Sequence, residues 1–467
     1  MPASVSIENQ QGSRMSNIQR WLEAPVSAAP LAVFRVIFGA LMLGSTIRFL
    51  ALGWVHEHFV APQVHFKYFG FAWVEVLPPF WMYVVHGLMI VFAVGIMLGA
   101  FYRIAAIGFF LCFTYTELID ITYYLNHYYF VSLVSFLLIL VPAHAYFSVD
   151  AQRRPELSSA RVPRWTIAIF QFQLTLVYFY AGLAKINYDW LIKALPLKIW
   201  LPANDKVWII GDLFRYSATA YIFSWAGMLY DTLVPFFLMW RKTRFWAYLA
   251  VIGFHSITGI LFQIGVFPVV MIFSTLIFFS AEFHEQFITK LKALLRKLGF
   301  SAGKIPMQPG VASSVFGQRK SVLYSFLVVY VSFQLLFPWR YLLYPGNLFW
   351  KEEGYRFSWR VMLMEKAGTA TFYVQDRDTG HEGMVVNSEF LNRHQEKQMA
   401  FQPDMLLQFA HFLHDHYEAQ GLTDPVVRVE SYVTLNARPS RLIVDPGVNL
   451  AEVEDGWGHK EWILDWE

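Results

Sequence analysis

Two side chains in this sequence have the chemistry to act on a small molecule in an apolar setting. Lys185 closes the stretch WTIAIFQFQLTLVYFYAGLAKINY (165–188) and is its only ionisable cation between Arg164 and Lys193. About twenty apolar residues cross a bilayer as a helix, and an ammonium at that depth is costly enough to point to function. Removing water disfavours the charged form of an amine, and a neutral amine is a base at ordinary pH. The competing reading is an interfacial lysine that snorkels to water. Small residues at Ala181 and Gly182 allow another group to approach the helix one turn before the lysine.

His127, in TYYLNHYYFVSL (122–133), begins another apolar segment. Alone it reads as a satisfied interfacial histidine. In the topology derived below it lies at the membrane level of Lys185, on the outer side, where positive charge is not expected. Tyr123, Tyr124, Tyr128 and Tyr178 are expected around the two. Such a site opens from lipid and suits a flat apolar molecule with polar ring oxygens. His255 lies deeper and reads equally as helix–helix glue or as a site residue.

The elements that must position these groups are membrane spans. The 467 residues are 56% hydrophobic and only 15% charged, against about 25% charged in soluble domains, and the mean hydropathy is +0.39. Nine candidate spans lie near 28–52, 76–101, 103–119, 126–147, 165–186, 218–240, 245–262, 264–280 and 321–338, with eight or ten also compatible. Basic residues cluster in the connections 148–164, 241–244 and 281–320, the last carrying Lys290, Lys292, Arg296, Lys297, Lys304, Arg319 and Lys320. Nine spans with the N-terminus inside make all three cytoplasmic, as the positive-inside rule requires. Residues 1–27 then form a cytoplasmic segment without a cleavable signal pattern. Residues 28–338 form a polytopic helical membrane domain, and 339–467 an extracytoplasmic domain. That last part holds 12 Lys+Arg against 20 Asp+Glu, leaving 25 and 14 for the rest. No basic footprint for nucleic acid is present.

The extracytoplasmic part changes in kind. ATFYVQDRDTGHEGMVV alternates around an Asp-Thr-Gly turn, a hairpin pattern, and PVVRVESYVTLNARPSRLIVDP reads as two further strands. Between them Met405, Phe409, Phe412, Leu413 and Tyr417 share one helical face. A small α+β domain with a mostly antiparallel sheet follows. Within the spans, Arg35, Arg48, Glu117, Asp120, Asp231 and His255 need partners; for Arg35 and Asp231 structural ion pairing between helices is the plainer reading. The sequence has no GxGxxG, P-loop, GxSxG or HExxH pattern. Its single cysteine, Cys112, rules out a cysteine zinc site. His411 and His414 share a face but have no carboxylate-rich or cysteine partner set, so no metal site is expected.

These segments resemble the vitamin K-dependent gamma-glutamyl carboxylases, in a bacterial-type form. VYFYAGLAKINYDWL (177–191) is similar to that family's active-site helix, an aromatic-rich YFxAGxxK followed by an acidic-Trp pair. LNHYYFVSLVSFLLILVPAHAYFSVD (125–150), GFHSITGILFQIGVFPVVMIFSTLIFFS (253–280), GYRFSWRVML (354–363) and YVTLNARPSRLIVDPGVNL (432–450) resemble further family segments in the same order. The resemblance implies that Lys185 deprotonates vitamin K hydroquinone (menaquinol or phylloquinol), that the oxygenated cofactor removes a glutamate γ-proton, and that CO2 adds, giving γ-carboxyglutamate and the quinone epoxide. O2 and CO2 are then co-substrates and a glutamate-containing peptide or protein is the partner, bound by the outer domain. The resemblance assigns His127 to hydrogen-bonding the cofactor, with Asn126, Tyr178, His255, Tyr355 and Trp359 as lining candidates. The family's Lys-Lys pair is Ala184-Lys185 here, so only the second lysine is kept.

Two other functions share these features. One is a quinol epoxidase that does not carboxylate glutamate, and the other is a non-catalytic transporter or lipid-binding protein, for which Arg35 and Asp231 speak.

Overall fold

The computed structural model describes residues 16–208, 210–262, 264–299 and 307–466. The first fifteen residues of the expected cytoplasmic segment, and Lys304 of the basic 281–320 stretch, lie outside the described residues. The membrane part is a helical bundle of α1 (Ala29–Ala51), α2 (Pro79–Leu98), α3 (Tyr102–Ile119), α4 (Asn126–Leu140), α5 (Trp165–Ala184), α6 (Tyr188–Leu191), α7 (Ser217–Met239), α8 (Arg244–Leu261), α9 (Phe267–Ser274), α10 (Ala281–Lys297) and α11 (Lys320–Leu336). Each of the nine expected spans holds a helix. Seven of these are long and apolar enough to cross a membrane, or eight if one bent pair counts as a span. The expected nine is therefore approximate, and the shortfall has two physical causes. Helix α4 has 15 residues, which rise only about 22 Å. Helix α9 passes through a 3-10 turn and then bends by 118° into α10, whose start is capped by the Ser280 hydroxyl. The sequence from 281 reads as a basic connection, but it folds into an amphipathic helix that buries His284 and Ile288. Its Lys292 ammonium lies over the rings of Tyr146 and Phe147, a geometry suited to a membrane interface.

The C-terminal domain is the small antiparallel α+β unit expected from the alternation. Strands β1 (Lys366–Gln375), β2 (Glu382–Met384), β3 (Val426–Leu435) and β4 (Arg441–Leu442) form one sheet in the order β2-β1-β3-β4. The β1–β2 hairpin closes from Gln375 to Glu382, and the Asp376 carboxylate accepts from the Thr379 backbone and hydroxyl to make the turn. Helix α12 (Arg393–Met399) and helix α13 (Pro403–Ala419) cover the sheet. Met405, Phe409 and Leu413 are fully buried on the face that the spacing predicts, and Phe412 and Tyr417 pack at its edge. His411 instead turns its ring Nε2 to the carbonyl oxygens of Leu450 and Val453.

The two parts share a core. Val64, Phe66 and Tyr68, from the α1–α2 connection, are buried among the apolar residues of the C-terminal domain. Gln395 donates to the Val64 carbonyl, and Gln408 exchanges hydrogen bonds with the Lys67 backbone. These contacts fix the end of the bundle from which the site is built.

Candidate functional site

Helix α5 ends at Ala184, and Lys185 is the first residue beyond it, its N–H still bound to the Gly182 carbonyl. The side chain folds back along the helix. Its Nζ lies 3.2 Å from the Ala181 carbonyl oxygen and 2.8 Å from Asp231 Oδ2 in α7. Both side chains are 7% exposed. The close approach of α5 and α7 makes this pair possible. A Cβ on Gly182 would sit 2.5 Å from the Thr232 backbone nitrogen, so only glycine lets α7 come this near. The pair has no net charge whichever partner holds the shared proton, which lowers the cost of burying it.

The residues after Lys185 extend the site in two directions. Asn187 caps α6 by accepting from the Trp190 N–H at 2.9 Å. The Trp190 indole donates to the Ser224 carbonyl, also on α7, and its ring lies 5.3 Å from Lys185 Nζ. The neighbouring Asp189 points the other way and accepts from Asn436 and Arg438 of the C-terminal domain. The acidic-Trp pair thus ties the lysine on one side to the sheet domain on the other.

Lys185 and Asp231 line a cavity whose walls are otherwise mostly aromatic and aliphatic, including Trp190, Trp200, Phe254 and Phe267. Tyr178 and His255 also line it. The Tyr178 hydroxyl and His255 Nε2 share a 2.9 Å hydrogen bond, with Thr275 Oγ1 at 3.5 Å from the same hydroxyl. His255 Nδ1 is buried without a hydrogen-bond partner among the described residues. A ligand with oxygen atoms can supply what buried polar groups otherwise lack.

The other expected residues take different places. His127 is buried at the start of α4, its ring 5.5 Å from that of Phe267, which in turn lies 5.7 Å from His255. It stands one aromatic ring behind the cavity wall. Asn126 donates to the Arg360 carbonyl at 3.0 Å and accepts from the Tyr124 hydroxyl. It thereby anchors the segment whose Val361 and Met362 line the cavity. Trp359 is fully buried, stacked on Tyr129 at 4.8 Å, outside the lining. Tyr355 belongs to a separate groove with Arg356 and Asp404. The pairing of Asp231 with Lys185 is absent from the sequence reading. The two are 46 positions apart on different helices, and only their common occurrence as intramembrane charges of opposite sign signals it.

Residues 23–283 match the family model described as the HTTM domain. Residues 319–467 match the model described as the lumenal domain of vitamin K-dependent gamma-carboxylase. No solved structure matches the chain.

Proposed function

The chain belongs to the vitamin K-dependent gamma-carboxylase family, and from that premise we propose that it couples oxygenation of vitamin K hydroquinone to carboxylation of peptide glutamate, with Lys185 as the base. The family implies a vitamin K cofactor and a peptide substrate, and its C-terminal domain is a non-cytoplasmic one. The observation that carries the reading is the buried Lys185–Asp231 pair in an otherwise apolar cavity.

The residues present fit the group. Aromatic walls suit a flat bicyclic ring, and the unpartnered Nδ1 of His255, which lines the cavity, is available to a ring oxygen. Reduced vitamin K bound there would supply, with O2, a base strong enough to take a glutamate γ-proton, the overall products with CO2 being γ-carboxyglutamate, the quinone epoxide and water. Lys185 takes the first hydroxyl proton at Nζ. With the pair's shared proton on Asp231, Lys185 is the neutral amine that can take that hydroxyl proton, and the ammonium then formed is paired with the hydroquinone anion while Asp231 holds the nitrogen in place. Tyr178 and His255 hold the ring at its polar edge. His127 backs Phe267 and fixes that wall. Asn126 keeps the 360–362 segment against the cavity, and exclusion of water protects the basic species from quenching.

The test is to supply purified protein in detergent with vitamin K hydroquinone, O2, a short glutamate peptide and labelled bicarbonate. Label in the peptide together with quinone epoxide is the expected result. Epoxide without label would leave an epoxidase, and neither product from folded protein would remove the quinol reading.

A further inference from the structure

A second polar pocket lies among the first four helices, at the end of the bundle that meets the C-terminal domain, and the proposed reaction makes no use of it. Helix α3 contributes Thr116 and Glu117, and the residue just beyond it, Asp120, also lines the pocket. Both oxygens of Asp120 are engaged, one accepting from Thr122 and the other from Gln395 of the C-terminal domain. Glu117 has no such partners. Its carboxyl faces the pocket with no hydrogen bond and no ion pair among the described residues. Arg48, near the end of α1, makes no ion pair with it and lies instead over the Trp54 ring, 4.6 Å from its centre.

The hydrogen-bonding capacity left free around Glu117 is mostly that of acceptors. The Thr46 and Thr116 hydroxyls spend their hydrogens on the Met42 and Phe113 carbonyls, at 2.8 Å each. His86 Nδ1 lies 2.8 Å from the Met82 carbonyl oxygen. That oxygen only accepts, so Nδ1 carries the proton and Nε2 of the neutral ring is left as an acceptor. Glu117, once ionised, adds two acceptor oxygens. Most of the remaining wall is aromatic, with Phe49, Phe59 and Phe113 among its rings. Phe59 is brought there by the π-helical turn His56–Val60, which the Ala61 N–H closes on the His56 carbonyl at 2.8 Å. Such turns concentrate at functional sites.

We propose that this pocket binds the ammonium group of a primary amine, with Glu117 as its counter-ion. Three N–H donors match an acceptor-rich wall made of Glu117, His86 Nε2 and the threonine oxygens. The faces of the phenylalanine rings attract an organic cation, as aromatic cages do. The ammonium also neutralises a carboxylate that would otherwise be buried without a partner, a costly arrangement. The same chemistry is carried by the headgroup of an aminophospholipid and by a free amine. The site is separate from the Lys185 cavity and goes beyond the carboxylase reading, on which it does not depend.

The experiment follows thermal unfolding of the full-length protein in detergent at constant ionic strength. One arm is a concentration series of ethylammonium chloride, compared with tetramethylammonium chloride. The other is a series of phosphatidylethanolamine in the micelle, compared with phosphatidylcholine. A ligand that binds the folded state raises the unfolding temperature. A saturable rise is expected with ethylammonium or with phosphatidylethanolamine, and none with the two quaternary compounds, which have no N–H to donate. A rise with phosphatidylethanolamine alone assigns the site to a lipid headgroup, and a rise with ethylammonium shows that a free amine suffices. Glu117→Gln should increase the half-saturating concentration by about tenfold or more, as loss of a charged hydrogen bond implies. No saturable rise with either primary amine overturns the proposal and leaves a hydrated carboxyl. An unchanged half-saturating concentration in Glu117→Gln overturns it too. If that variant does not fold, wild type decides the matter, because equal rises with primary and quaternary ammonium would also overturn it.

Discussion

Arg35 and Lys185 are both cations buried among apolar helices, and they are satisfied in opposite ways. Arg35 is 0% exposed and spends its guanidinium on backbone, donating to the Ile96 carbonyl at 3.2 Å and the Phe147 carbonyl at 2.5 Å. It is sealed in by Gly99, which ends α2 at φ 63°; a Cβ there would lie 1.9 Å from Arg35 Nη1. Lys185 is bound to a carboxylate instead and faces a cavity. Arg35 ties the ends of helices together and can hold no proton but its own. Lys185 has a proton acceptor beside it and space in front of it. Burial of a charge is therefore not what marks the site. The marks are a titratable partner and an open side.

That contrast breaks first at Lys185. Lys185→Ala is expected to lower epoxide formation by about 10²–10⁴, the range for loss of a general base, with thermal unfolding in detergent showing folded protein. Asp231→Asn comes next. Removing one member of a buried pair typically costs about 3–5 kcal/mol, and the double variant Lys185→Ala/Asp231→Asn should be more stable than the sum of the singles predicts, as a double-mutant cycle would show. Additive losses would mean that the two residues are not coupled. The smallest effect belongs to Arg35→Gln. It should reduce stability by about 1.5–3 kcal/mol for the charged hydrogen bonds it weakens, while turnover per folded molecule is retained. Selective loss of turnover at Arg35, with stability intact, would erase the distinction between the two cations.

Much of this arrangement is legible in the sequence because it depends on local pattern. Apolar runs locate the helices of the nine expected spans, the alternation around Asp376–His381 gives the β1–β2 hairpin, and the face carrying Met405, Phe409 and Leu413 gives α13. Lys185 itself stands out as a lone charge, and Gly182 marks the place where another helix comes close. What is not legible depends on packing between distant segments. The Lys185–Asp231 pair, the seating of Asp189 on Arg438, and the burial of Val64 and Phe66 in the C-terminal domain join residues far apart in the chain. No periodicity encodes them. The bend between α9 and α10 was hidden for a different reason, since basic residues on one face of an amphipathic helix look like a basic loop when only charge is counted. Tyr355 lines a separate groove and Trp359 is buried against Tyr129, contacts between distant segments that no local pattern encodes.

In the proposed reaction Lys185 acts by giving and taking a proton rather than by carrying charge. Lys185→Arg tests it most directly, because arginine preserves the charge beside Asp231 but does not release its proton. Quinone epoxide would be measured for wild type and Lys185→Arg, as purified folded protein, with vitamin K hydroquinone and O2. Wild type is expected to form epoxide and the variant none above background; epoxide formation by Lys185→Arg at the wild-type rate would contradict proton transfer by Lys185.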